Sequence, residues 1–158
     1  MPVQSAAFCG PKAGSRDATV PSADGERFWS PYREKNMLFA NDGMGRFRDI
    51  SSQNDAFSGT PAVSRGLVAG DVDNDGAMDL LVTAIAGPAR LFRNVARQRG
   101  HWLLLRAVDP RLKRDAYGAE ITVKVGGRHW TRWMNPAFSY ASSNDSRAHI
   151  GTRNIRTG

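Results

Sequence analysis

The residues best suited to chemistry form one acidic run of nine, with carboxylates at its first, third, fifth and ninth positions. Carboxylates held this close repel one another unless a cation neutralises them. Oxygen ligands without Cys or His favour a hard cation, and a flexible carboxylate loop suits Ca²⁺ better than octahedral Mg²⁺. We therefore predict a Ca²⁺ site whose ligands are the side chains of Asp71, Asp73, Asp75 and Asp79 and the carbonyl oxygen of Ala77.

Two other interpretations of the acidic run are possible. An EF-hand would need a bidentate Glu at the twelfth position and helices on both sides, whereas Val82 stands there and both flanks favour strands. The run could also be a solvated turn without metal, because Asp-Asn-Asp-Gly forms ordinary turns. No nucleophile and base stand beside the run, so we expect a structural ion and no enzymatic activity.

Short strands must position this loop. Residues 66–70 lead into it, and residues 79–85 follow it as an apolar, β-branched strand expected to be buried on both faces. Gly87 and Pro88 are expected to end that strand, and residues 89–94 to form the next one. The loop is thus predicted to connect two strands of one sheet.

An earlier hairpin resembles part of this unit. Residues 36–41 and 46–50 are predicted to pair around an Asp-Gly turn, and residues 51–63 are predicted to be a polar loop. The string Leu-Phe-x-Asn begins at Leu38 and again at Leu91, 53 residues later. That spacing is near the period of propeller blades.

The pattern changes after Gly100, where we place a domain boundary. A strand is predicted over residues 101–108, and residues 118–125 alternate apolar and polar side chains. Gly126 and Gly127 then predict a tight hairpin with residues 128–134, and one short strand is expected in the tail. The predicted division is a loop-rich segment (residues 1–35), a blade with the acidic loop (36–99) and a small β domain (100–158).

The bulk composition limits the functional classes. With 158 residues, 16 Gly and 8 Pro, the chain is expected to be turn-rich and to form one or two small domains. No apolar run approaches the roughly 18 residues of a membrane span, so no transmembrane segment is expected, and no export signal is visible. The net charge of +7 leaves an acidic polymer possible as a partner, but the arginines are scattered, so nucleic acid is not expected.

Several of these segments resemble known families. Residues 66–94 look like an FG-GAP or VCBS repeat of the integrin-α-like propeller, and residues 38–49 look like a hairpin between neighbouring blades. Residues 101–150 resemble the ASPIC/UnbV domain of cartilage acidic protein-like proteins, and residues 8–11 are similar to a Cys-Gly-Pro segment of the bacterial relatives. The ASPIC/UnbV resemblance rests on residues 100–103, 114–119, 139–142 and 147–151.

The resemblance implies an all-β fold, with a partial β-propeller and a small β-rich ASPIC/UnbV domain. It implies a noncatalytic, Ca²⁺-binding module of a secreted, cell-surface or periplasmic protein that mediates adhesion or binds an extracellular protein or polysaccharide. The alternative is an accessory domain of a secreted hydrolase or other enzyme whose catalytic residues lie elsewhere.

The sequence departs from the family pattern in its last residues. Residues 152–154 replace the glycine-rich ending, and the closing strand is missing. We therefore expect the C-terminal portion of a longer protein, with unpaired blade edges exposed to solvent.

Overall fold

The computed structural model describes residues 8–9, 27–96, 100–137 and 139–152. Most of the segment predicted to be loop-rich, residues 1–35, lies outside these ranges, as do residues 10–11, 97–99 and 153–154. Across the described residues strands predominate and helices are short, so the predicted all-β class is confirmed. The predicted domain limits stay a prediction.

The described residues contain strands β1 (Phe8–Cys9), β2 (Phe39–Asn41), β3 (Phe47–Asp49), β4 (Ser64–Gly70), β5 (Asp79–Ala84), β6 (Gly87–Asn94), β7 (His101–Leu105), β8 (Val108–Asp109), β9 (Arg114–Asp115), β10 (Glu120–Val125), β11 (Arg128–Trp133) and β12 (Ala148–Thr152). They also contain a one-turn helix, α1 (Asp55–Ser58), and 3₁₀ turns at Ser30–Tyr32 and Ser51–Gln53.

The main sheet is antiparallel and has the order β1-β6-β5-β4. Strands β4, β5 and β6 form a meander, and the acidic loop is the connection between β4 and β5. This placement confirms the predicted strands on both sides of the loop. The loop therefore starts and ends on neighbouring, hydrogen-bonded strands.

The prediction that Gly87 and Pro88 end β5 was wrong. The turn instead consists of Ile85 and Ala86, with Ala86 at φ +53°, and Gly87 and Pro88 open β6. The pairing is irregular between Val82 and Ala84, opposite this start of β6, where a proline without an amide hydrogen is tolerated. The prediction that β5 is buried on both faces holds only in part, because its burial pattern includes half-buried and exposed side chains.

The core of the main sheet is aromatic. Phe57, Val82 and Phe92 form a buried cluster, and the two phenyl rings meet edge to face with centroids 5.1 Å apart. Phe57 lies on α1, inside the segment wrongly predicted to be only a polar loop. The Asn54 side chain accepts a hydrogen bond from the Phe57 amide at 3.2 Å, so this short polar sequence caps a helix that carries a core residue.

Both predicted hairpins are confirmed. Strands β2 and β3 pair around the Asp-Gly turn, where the Asp42 carboxylate accepts bonds from the amides of Met44 and Arg46. Strands β10 and β11 pair across Gly126 and Gly127, whose φ angles of +56° and +76° are those of a tight hairpin turn. The predicted alternation of half-buried and exposed side chains holds along all of β10.

The short strand expected in the tail is β12. It pairs antiparallel with β7, so that Ile150 faces Leu103, and Ile150 has no solvent-exposed surface. Met134, which follows β11, is equally buried. The second half of the chain thus has buried side chains of its own, although each sheet among its described residues has two strands.

We expect Phe92→Ala to lower the free energy of unfolding by about 3–5 kcal/mol, because it empties the centre of the aromatic cluster. The neighbouring Leu91 is 38% exposed, so Leu91→Ala is the matched control and should cost about 1 kcal/mol or less. Denaturant unfolding of both variants measures the difference. Equal losses would contradict this location of the core.

Candidate metal centre

Three aspartates of the acidic loop converge. Asp71 follows β4 directly and Asp79 begins β5, and both are buried, whereas Asp73 is exposed. Each offers a carboxylate oxygen, and these oxygens lie within 4.8 Å of one another. Oxygens that bind one Ca²⁺ at 2.3–2.6 Å are at most about 5 Å apart. The spacing of the three carboxylates therefore fits this ion.

The two buried carboxylates also hold the loop in shape. Asp71 accepts hydrogen bonds from the amides of Asp75 (3.0 Å) and Gly76 (2.9 Å). Asp79 accepts from the amides of Val72 (3.2 Å) and Asn94 (2.8 Å). These bonds stabilise the negative charges and tie the loop to the end of β6.

The other two predicted ligands lie further along the same turn. Asp75 is half-buried and accepts a hydrogen bond from the Ala77 amide at 2.9 Å, and Ala77 itself is buried. The three-carboxylate group does not include Asp75. Ligation by the Asp75 side chain and by the Ala77 carbonyl therefore stays a prediction.

An arginine lies on the exposed side of the loop. The Arg93 guanidinium donates to the Asp73 carboxylate, and the same nitrogen lies 3.8 Å from a carboxylate oxygen of Asp75. No sequence pattern indicates this residue as part of the site, because Arg93 is on β6 and follows the acidic loop by more than ten residues. It places one positive charge beside the exposed carboxylates.

The second half of the chain covers the turn at Gly76. This glycine has φ +85°, and a Cβ atom built on it would lie 2.0 Å from the indole nitrogen of Trp102. The carbonyl oxygen of Gly76 lies 2.9 Å from Nε2 of His149. The Trp102 and His149 rings are nearly parallel, 9° apart, with centroids separated by 6.3 Å. We call these two side chains the Trp–His platform.

The outer edge of β4 is covered as well. The buried Asn144 side chain accepts from the Ala69 amide at 2.7 Å and donates to the Pro136 carbonyl at 3.0 Å. The Ser142 hydroxyl donates to the Leu67 carbonyl at 2.9 Å. Unpaired blade edges were expected to be exposed, and for β4 this was wrong, because side chains far along the sequence bond its free backbone groups.

An ion pair between Arg147 and Asp145 stabilises the segment that covers the loop and the edge of β4. The Nε–H of Arg147 donates to both oxygens of the Asp145 carboxylate, at 3.0 and 2.9 Å, and a terminal nitrogen donates to one of them at 2.6 Å. These bonds hold the pKa of Asp145 below its ordinary value and raise that of Arg147. A terminal nitrogen of Arg147 also lies 3.5 Å from the side-chain oxygen of Asn74 in the acidic loop.

We expect Gly76→Ala to destabilise the protein more than Gly43→Ala. Both glycines have positive φ, at +85° and +84°, but nothing lies within 4 Å of a Cβ at Gly43. Left-handed strain of about 1–2 kcal/mol applies to both variants. Overpacking against Trp102 should add about 1–3 kcal/mol to the loss at Gly76. Chemical unfolding in chelator measures both, and equal losses would exclude a close fit between Gly76 and Trp102.

Comparisons with known proteins agree with this architecture. Residues 24–82 match the family model of the FG-GAP-like repeat, and this stretch includes β2, β3, β4, the acidic loop and the start of β5. Residues 109–157 match the family model of ASPIC and UnbV. No curated protein and no solved structure matched. Among the described residues, no helix is long and apolar enough to cross a membrane. The chain thus carries an FG-GAP-like repeat, which is a β-propeller blade, followed by an ASPIC and UnbV segment, as the resemblance predicted.

Proposed function

We propose that this chain is a noncatalytic, Ca²⁺-binding module of a secreted, cell-surface or periplasmic protein, and that it binds an extracellular protein or polysaccharide. The two family matches support a β-propeller-like module of the extracellular type. The observation that carries the Ca²⁺ proposal is the convergence of three carboxylates within 4.8 Å, two of them buried.

Burial of two like charges favours a cation. Asp71 and Asp79 are only 3% and 2% exposed, so water solvates them poorly. Backbone amides offset part of the cost of burying each carboxylate, but they carry no net charge. A divalent cation would neutralise the pair directly. The donor set contains oxygen alone, which suits Ca²⁺ rather than Zn²⁺.

The ligands would come from both ends of the loop. Asp71, Asp73 and Asp79 would hold the ion, with Asp75 and the Ala77 carbonyl as further oxygen ligands toward the six to eight that Ca²⁺ takes. Bound Ca²⁺ would supply positive charge at the junction of β4 and β5. Because Asp79 also bonds the Asn94 amide, the site would stabilise three strands of the blade together.

A structural role for the ion supports a binding function rather than catalysis. The buried carboxylates already accept two backbone amides each, which fixes their orientation within the loop. A carboxylate so engaged is suited to holding a loop and an ion. The net charge of +7 further supports an acidic partner, such as an acidic polysaccharide or an acidic protein surface.

We expect added Ca²⁺ to raise the thermal unfolding midpoint of chelator-treated protein, by an amount equivalent to about 2.7 kcal/mol at a hundredfold excess over Kd. Asp73→Asn should abolish this response. Asp73 is exposed and accepts from the Arg93 side chain, so the variant removes a ligand charge and leaves the backbone hydrogen bonds of Asp71 and Asp79 in place.

Asp42→Asn is the matched control for that experiment. Asp42 also accepts backbone amides in an Asp-Gly turn, but it lies in the β2–β3 hairpin outside the three-carboxylate group. This variant should respond to Ca²⁺ like the wild type. A wild-type protein that shows no shift at millimolar Ca²⁺ would contradict the proposed function, and so would an undiminished response of Asp73→Asn.

We further expect Arg93→Gln to tighten Ca²⁺ binding about 1.4- to 5-fold, because exposed ion pairs are worth about 0.2–1 kcal/mol and this one competes with the ion for Asp73. Isothermal titration calorimetry measures the change, and Arg48→Gln, an exposed arginine on β3, is the control. Weaker binding by Arg93→Gln would show instead that Arg93 orients Asp73 for the ion.

A further inference from the structure

We propose that Ca²⁺ binding is coupled to docking of the β7–β12 sheet against the acidic loop, and that the Trp–His platform transmits this coupling. The platform residues, Trp102 and His149, are positioning residues that hold the turn of the acidic loop from outside. This inference rests on the proposed function, since it presumes that the loop binds Ca²⁺.

A single peptide unit joins the platform to the loop carboxylates. The carbonyl of Gly76 lies 2.9 Å from His149 Nε2, and a carbonyl oxygen only accepts, so Nε2 carries the hydrogen. The amide at the other end of this peptide unit belongs to Ala77 and donates to Asp75. Because the peptide unit is planar, its orientation at His149 sets its orientation at the Asp75 carboxylate.

The contact with Trp102 restricts the same turn sterically. The indole occupies the space where any residue other than glycine at position 76 would place its Cβ. The amide of Gly76 donates to Asp71, one of the three converging carboxylates. A shift of the turn away from the indole would therefore also change the hydrogen bonding of a predicted ligand.

The platform is built from two paired strands. Trp102 on β7 pairs with Gly151 on β12, and His149 lies two residues from Gly151. Both side chains therefore lie on one face of the β7–β12 sheet, as diagonal neighbours. The absence of a side chain at Gly151 leaves that position of the face open beside the two rings. Two hydrogen-bonded strands of one sheet therefore carry both rings.

Residues just before β12 make two further contacts, one with the end of β4 and one with the loop. Asn144 bonds the Ala69 amide, two residues before Asp71, and Arg147 reaches the side chain of Asn74 at the loop tip. Residues 144–149 therefore contact β4 just before the loop, the loop tip at Asn74 and the turn at Gly76.

Preorganisation of this kind implies reciprocal linkage. A segment that holds the loop in its ion-binding shape increases the affinity for Ca²⁺, and bound Ca²⁺ must strengthen docking of the segment by the same factor. Couplings between sites in proteins are typically about 5- to 150-fold. The coupled element here is the β7–β12 sheet, because it carries the platform.

Amide hydrogen exchange of the full chain, with and without Ca²⁺, tests the coupling. We expect Ca²⁺ to slow exchange in the acidic loop and in β7 and β12, and to slow it less in β10 and β11, which serve as the internal reference. Calorimetry should show that Trp102→Ala weakens Ca²⁺ binding about tenfold. Trp133→Ala, which removes an indole 68% exposed on β11, should bind as the wild type does.

The outcomes separate this inference from the proposed function. Wild-type protein that binds no Ca²⁺ in calorimetry overturns the proposed function and the coupling with it. Wild-type protein that binds Ca²⁺ but protects β7 and β12 no more than β10 and β11 overturns the coupling alone, as does unchanged affinity of Trp102→Ala. Should Trp102→Ala fail to fold, the wild-type exchange pattern and the milder Trp102→Phe still decide the question.

Discussion

The burial of two carboxylates at the junction of β4 and β5 constrains the rest of this protein. Asp71 lies where the chain leaves β4, and Asp79 lies where it returns to the sheet as β5. Each side chain is almost completely shielded from solvent. A buried carboxylate needs hydrogen bonds and a countercharge. The backbone amides of the loop and of Asn94 supply the bonds, which forces the loop into a tight turn over the end of the sheet.

The tight turn of the acidic loop also determines how the second half of the chain can pack. A tight loop with positive φ at Gly76 presents bare backbone, and the indole of Trp102 fits against it because no Cβ intervenes. His149 Nε2 then bonds the Gly76 carbonyl, and Asn144 bonds the free edge of β4. The small sheets of the second half, which have two strands each, thereby gain a larger surface to pack against.

Local signals accounted for much of the fold. The turns at Asp42 and at Gly126 fixed two hairpins, and alternation along β10 separated its faces, because a short turn and a period of two act within a few residues. The turn after β5 and the helix α1 were predicted wrongly. At the turn, strand pairing overrode the weak local preference of Gly87 and Pro88. In α1, burial of Phe57 overrode the polar character of the segment.

By itself, the sequence determined the all-β class, the order of the two family segments and the acidic loop as the candidate site, since four aspartates in nine residues are a dense local pattern. Only the tertiary structure decided which carboxylates converge, that Arg93 lies beside them, and that Trp102 and His149 cover the turn. The contacts of Arg93, Trp102 and His149 with the loop join residues 20 to 73 positions apart, and no local propensity encodes them. They follow from the antiparallel return of β6 and the docking of β7 and β12.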